Sequence, residues 1–229
     1  MAASKIKTAT SKRQEAYDLV LDAIIFGDIQ PDIAIDEKNL AEELGVGLAG
    51  MRDALNRLSQ EGLVQRHARV GSRVASLSLS DLQEVFEVRL LIEGKCATLA
   101  AERATAEDIA AMRSAFHGFE KIIRQRKFKE LVAMDQAFHR RLAASTYNSL
   151  FQNIAVLMHN KACRFWYFGL TKLPAETVIS DIKGHFDVIS AIERRDAAGA
   201  AEAMVGVLGH FPDSVSTFFG PQKSQRRAG

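Results

Sequence analysis

Between Asp81 and Phe219 apolar residues recur at three- and four-residue spacing almost without a break, and that long helical periodicity confines more than half of the chain to an all-α packing. Six helices are expected, at 81–103, 106–126, 127–145, 148–169, 175–194 and 196–219. Ser80 before Asp81 and Thr105 before Ala106-Glu107-Asp108 read as N-caps, with acidic groups complementing the helix dipole. Pro174 separates the fourth helix from the fifth, and Arg195-Asp196 separates the last two. No internal repeat is evident.

The residues before Asp81 are punctuated differently. Tyr17, Val20, Leu21 and Ile24 repeat at helical spacing until Gly27. A second helix from Asp36 carries Leu40, Ala41 and Leu44 and ends at Gly45, and a third carries Met51, Ala54, Leu55 and Leu58. Two short helices around a glycine-containing turn signal a helix-turn-helix. Leu63-Val64 and Arg73-Val74-Ala75 then read as extended segments around the basic stretch Arg66 to Gly71, a hairpin whose tip forms a wing. The expected fold is mostly α: a flexible tail over 1–9, a winged helix-turn-helix over 10–76, a joint at 77–80, an all-α six-helix bundle over 81–220 and a basic tail over 221–229.

A hydrophobic content of 47% supports real cores and excludes a disordered chain. The formal net charge of +2 says little by itself, and the first 76 residues hold ten Lys and Arg against eleven Asp and Glu, so the head has no overall positive field. Any affinity for phosphate rests on placement. Cys96 and Cys163 lie far apart in apolar helical patterns and are expected as buried free thiols. No apolar run of about 18 residues occurs, and no signal-peptide h-region follows the basic N-terminus; the expected protein is soluble, cytoplasmic and without a membrane partner.

Several polar side chains stand on apolar stripes of the helical region. Asp135 and His139 lie one turn apart on a face otherwise made of Leu131, Val132 and Leu142, a spacing that lets both grip one metal ion. His185 shares a stripe with Val178, Ile182, Ile189 and Ile192, and His210 one with Ala203 and Val207. A lone inward histidine is more often a satisfied core residue; two of them with an Asp/His pair point to ligands converging in a bundle core. One carboxylate and three imidazoles suit a divalent transition metal, Zn first, with Ni or Mn as alternatives. Arg89 sits between Val85 and Ile92, where a buried guanidinium needs an anion: Glu93 four residues on, or the carboxylate of a ligand held bidentately. Trp166 is either core or a wall of such a pocket. His117 and His159 have no partner at ligand spacing and read as structural or surface residues, and His67 falls in the wing.

The head, with Ala41-Glu42-Glu43-Leu44-Gly45-Val46, Met51-Arg52-Asp53-Ala54-Leu55, Leu58, Glu61-Gly62-Leu63-Val64 and Gly71, resembles the DNA-binding head of GntR-type bacterial transcription regulators. Where such heads usually read Ser-Arg-Thr-Pro-Val, this chain reads Gly47-Leu48-Ala49-Gly50-Met51, which replaces the customary DNA-reaching arginine by Leu48 and removes the Ser cap. Lys38, Arg52, Arg57, Arg66, Arg69 and Arg73 remain as DNA contacts. The helical part, with Asp-x3-His, His185, His210, Phe86-Glu87-Val88-Arg89, Glu93 and Asn148-Ser149-Leu150, resembles the FCD ligand domain of the FadR branch in its metal-binding form. That resemblance implies an Asp135/His139/His185/His210 metal site and a small carboxylic or sugar acid bound beside it by Arg89. A single small head offers few base contacts, so the expected regulator is a homodimer whose two heads read paired half-sites of a double-stranded operator. Two other readings use the same residues: a metal-dependent enzyme whose open coordination positions activate water, and a regulator in which the metal only staples the bundle.

Overall fold

Neither glycine nor proline occurs before Gly27, and helix α1 runs from Ala2 to Ile25 until Gly27 turns left-handed at φ 71°. The stretch expected as a flexible tail is therefore helical in its backbone from Ala2, because alanine and lysine favour helix where no breaker intervenes. The computed structural model describes the backbone of residues 2–67 and 71–216 and the side chains of 12–67 and 71–211. Arg69 and the 221–229 tail lie outside the described residues. The chain divides into two compact units, Met1–Leu77 and Ser78–Gly229.

In the first unit β1 (Ala34–Ile35) precedes α2 (Glu37–Glu43) and α3 (Leu48–Gln60), and β2 (Val64–His67) and β3 (Gly71–Val74) close the wing. The strands form an antiparallel sheet in the order β1-β3-β2, with Ala34 opposite Arg73 and Val64 opposite Val74. Two residues are too few to show a period, so β1 left no trace in the sequence pattern. Asp36 caps α2 by accepting the N–H groups of Lys38 and Asn39 at 3.0 and 3.1 Å. Gly47 caps α3 without a side-chain bond, which keeps that glycine out of the helix interior. Gly50 lies inside the first turn, where an added Cβ would stand 3.5 Å from that of Ala16. Val20, Leu21 and Ile24 of α1 and Met51, Leu55 and Leu58 of α3 are fully buried and form the core of the head.

The second unit consists of α4 (Leu79–Arg103), α5 (Ala106–Ala115), α6 (Phe119–Arg124), α7 (Phe128–Ala144), α8 (Ser149–Leu170), α9 (Ala175–Glu193) and α10 (Ala197–Ser216). The single helix expected over 106–126 is two, because Gly118 adopts φ 76° between α5 and α6. The cap of α4 is Ser78 rather than Ser80. Asp81 stands three residues after Ser78, so the Ser78 hydroxyl accepts the Asp81 N–H at 3.1 Å while the Asp81 carboxylate accepts the Ser78 N–H at 3.2 Å. Ser78→Ala is expected to cost about 1 kcal/mol, a fall of roughly 2–4 °C in melting temperature, whereas Ser80→Ala leaves it unchanged; thermal unfolding followed by circular dichroism distinguishes the two caps. Thr105 and Asp108 form the same reciprocal box at α5, and Asn148 caps α8. Cys96 and Cys163 are buried and free. Among the described residues no helix is long and apolar enough to cross a membrane.

Candidate metal centre and nucleic-acid interface

One helical turn apart on α7, Asp135 and His139 face His185 from α9 in the interior of the second unit, all three nearly inaccessible. Asp135 Oδ1, His139 Nε2 and His185 Nε2 form a triangle with edges of 3.6, 3.5 and 3.4 Å. A tetrahedron around a cation about 2.1 Å from each ligand has edges of about 3.4 Å, so the triangle matches one of its faces. The far nitrogens of both rings are turned to acceptors. His185 Nδ1 lies 3.1 Å from the Asp181 carbonyl, and His139 Nδ1 lies 2.5 Å from Glu93 Oε2 in an ionic contact that falls off the line of a hydrogen bond. With a proton on Nδ1, the His185 Nε2 lone pair is directed at Asp135, and His139 offers the same once its Nε2 proton leaves, which is how a carboxylate or carbonyl behind a histidine prepares it for a metal. Phe138 and Phe116 pack against the His185 ring at centroid distances of 4.9 and 5.0 Å and hold its plane.

Charge is dense here, and every charged side chain that carries it is buried. Burial alone would lower the His139 pKa, but the carboxylates of Glu93 and Asp135 outweigh it and hold the imidazolium up to about pH 9. Burial works against charge on Asp135 too, yet His139, His159 and His185 keep its carboxyl well below the usual range. Glu93 is likewise held down against burial, by Arg89 and His139. Burial pushes His185 down to about 4 despite Asp135. The cluster thus contains two carboxylates balanced by Arg89 and one imidazolium, and a divalent cation at the triangle would take the place of that proton.

Arg89 donates through Nε to Glu93 Oε1 at 2.5 Å, and its Nη2 lies 3.1 Å from His159 Nδ1. The intrahelical ion pair, one of the two anion partners expected for this arginine, is therefore present, and the same side chain also lines a cavity of about 40 Å³ together with Trp166, Asp135, His139 and His185. His159, expected as structural or surface, is fully enclosed in the cluster, with Nε2 3.4 Å from Asp135 Oδ2 and 3.3 Å from Cys163 Sγ. Its signal was the inward stripe Ala155, His159, Ala162 and Cys163 on α8; its partners come from other helices, which spacing along the chain does not reveal. Glu93, His139 and His159 also lie within ligand distance of one another, but Arg89 already occupies Glu93 and His159, and a cation there would face the guanidinium.

His210 does not join the cluster. It is exposed on α10, close enough to Asp181 to oppose the rise that burial gives that carboxyl, whose pKa stands at about 6. The inward side of α10 carries Met204, Leu208 and Phe211, with Val207 on the cavity wall. The inward stripe is turned by one residue from the expected one because α10 is apolar over most of its circumference, so periodicity alone could not choose between the Ala203-Val207-His210 stripe and the Met204-Leu208-Phe211 stripe as the more deeply buried. His117 is exposed.

In the head, Lys38 is exposed on α2, and Arg52 on α3 and Arg66 on β2 both reach the carboxylate of Glu37, at 3.2 and 3.6 Å. Arg73 is half-buried on the central strand β3. Arg57, offered to DNA on sequence grounds, is engaged elsewhere: its guanidinium covers the Tyr17 ring at 3.6 Å and donates to Glu61 and Gln14, while the Tyr17 hydroxyl donates to Glu61 at 2.6 Å. Its position one turn before Glu61 is what directs it there. Leu48, at the start of the recognition helix, is 39% exposed and brings no charge.

A winged helix-turn-helix followed by an all-α domain defines a helix-turn-helix transcription regulator. Residues 12–74 match the family described as bacterial regulatory proteins, gntR family, residues 84–210 match the FCD domain, and the chain belongs to the GntR family in its FCD-bearing, FadR-like branch. It is 25% identical over 213 residues to the HTH-type transcriptional regulator YdhC of Bacillus subtilis (strain 168), covering 90% of this chain and 91% of that protein. It is 27% identical over 196 residues to the HTH-type transcriptional repressor GlaR of Escherichia coli (strain K12), covering 83% and 89%. The structure of E. coli McbR/YncC shares the fold with a TM-score of 0.82 over 91% of this chain and 99% of that one, at 14% identity. The matched families and relatives are transcription regulators, not enzymes.

Proposed function

We propose that this regulator binds operator DNA as a homodimer and that a small monoanionic acid, bound beside a divalent transition metal in the helical domain, modulates that binding. The observation that carries the reading is the triangle of Asp135 Oδ1, His139 Nε2 and His185 Nε2, with both Nδ1 atoms turned to acceptors. Asp135, His139 and His185 would hold the metal, Zn by preference and Ni or Mn as alternatives, and it would supply Lewis acidity and open coordination positions. His210 has no place in this set. Arg89 and the metal together outweigh Glu93 and Asp135 by one positive charge, which favours one carboxylate. The cavity of about 40 Å³ that Arg89 and Trp166 line favours a short acid.

Two heads on a two-fold axis read paired half-sites, and Leu91 on α4 and Leu150 on α8, 73% and 70% exposed, offer apolar surface for a second copy. The acid changes the spacing of the heads only if it binds one arrangement more tightly than the other. The naming of GlaR as a repressor favours a repressor relieved by its acid, acting on DNA in the cytoplasm. A thermal-shift screen of short carboxylic and sugar acids on the metal-loaded protein, followed by operator binding measured by fluorescence anisotropy, tests the reading. Acids that raise the melting temperature are expected to change operator affinity; stabilisation by every such acid without any change in DNA affinity would falsify it.

A further inference from the structure

Glu37, at the first position of α2, takes arginines from two different elements. Its Oε2 accepts the Arg52 Nε–H of the recognition helix at 3.2 Å, and its Oε1 lies 3.6 Å from Nη2 of Arg66 on the wing strand β2. The carboxylate is the more enclosed partner, with a side chain 26% exposed against 61% and 44% for the two arginines. Arg13 and Arg57 of the same unit also face carboxylates, those of Asp53 and Glu61. The head thus presents guanidinium groups already matched by acids, on a unit with no surplus of positive charge.

We infer that Glu37 is a positioning residue that holds Arg52 and Arg66 back from the phosphates of arbitrary DNA and orients Arg52 for base reading. The inference rests on the DNA-binding role of the head. Arg52 is gripped through Nε, so its two terminal nitrogens can present a fork to a guanine edge without leaving the carboxylate. A phosphate on a random sequence must instead compete with Glu37 for the same charge. Neutralising Glu37 releases two cations at once, and indiscriminate binding rises while selectivity falls.

The test uses the full-length protein, a fluorescent duplex of arbitrary sequence and anisotropy titrations over a range of salt. Glu37→Gln is expected to tighten binding to this duplex on the order of tenfold at low salt, the combined effect of releasing two exposed ion pairs. The slope of log affinity against log salt should steepen by about 0.9 for each further phosphate neutralised, with one such phosphate for each arginine that reaches the backbone. A purely structural role for Glu37 would move the melting temperature and leave that slope alone. Glu37→Ala, a second neutral variant, must steepen the slope in the same sense, Glu37→Asp must restore most of the original behaviour, and Arg66→Gln in the Glu37→Gln background must remove part of the added affinity. Unchanged or weaker binding by folded Glu37→Gln, beside a wild type that binds the duplex, overturns the inference and spares the DNA-binding role. Absence of binding by both proteins overturns both.

Discussion

Protein purified without chelator is expected to carry about one divalent transition metal per chain, and removing it should lower the melting temperature by roughly 5–15 °C. The size of the effect follows from linkage: a metal present at about 100 to 1,000 times its dissociation constant stabilises the native state by about 2.7 to 4.1 kcal/mol, and in a domain of this size each kcal/mol is worth roughly 2–4 °C. Asp135→Ala combined with His185→Ala should abolish the metal by elemental analysis, since these residues supply two corners of the ligand triangle. His210→Ala should retain it, because that ring stands exposed on α10. Glu93→Gln, which weakens the acceptor behind His139, should lower metal affinity about 10- to 100-fold without removing a ligand. Full metal loss in His210→Ala would contradict the assignment; so would an unchanged metal content in the double variant.

The second large effect is expected at Arg89. Arg89→Ala should destabilise the second unit by about 3–5 kcal/mol, because it leaves Glu93 buried without its main counter-charge. The melting temperature would fall by roughly 6–20 °C. The cost belongs to the broken pair rather than to the arginine alone, so Arg89→Met with Glu93→Met should be far milder than the sum of the single changes, and a double-mutant cycle in urea measures the coupling. That double variant also separates the two roles given to Arg89. If it folds and, saturated with metal, still binds the stabilising acid with unchanged affinity, the arginine serves the ion pair only; a large loss of acid affinity in the metal-saturated variant, beside Glu93→Gln that retains it, supports its part in the pocket.

The helical domain was largely legible in the sequence because helices announce themselves locally. The stripe of Leu131, Val132 and Leu142, the Thr105 cap and the Pro174 break all act within a few turns of the chain, and the structure follows them to within a few residues. The misplacements had local causes too. Gly118 tolerates the left-handed conformation that splits α5 from α6, and Asp81 selects Ser78 over Ser80 as its capping partner. The pairing of Asp135 with His139 was equally local, since four residues along a helix fix which side chains meet.

What the sequence by itself determined is therefore the type of the longer elements, the winged helix-turn-helix and the facing of Asp135, His139 and His185 into a core. What only the tertiary structure decided is who stands across from them. An apolar residue on either side of α10 satisfies the hydrophobic effect equally well, so the choice that puts Val207 on the cavity wall and His210 in solvent was made by packing against neighbouring helices. The same packing brought His159 of α8 to Asp135 and Arg89, set Glu93 behind His139, and turned Arg57 onto Tyr17. Hydrophobic burial is non-directional and leaves such choices open; the directional contacts of charges and rings, formed only once distant helices meet, close them.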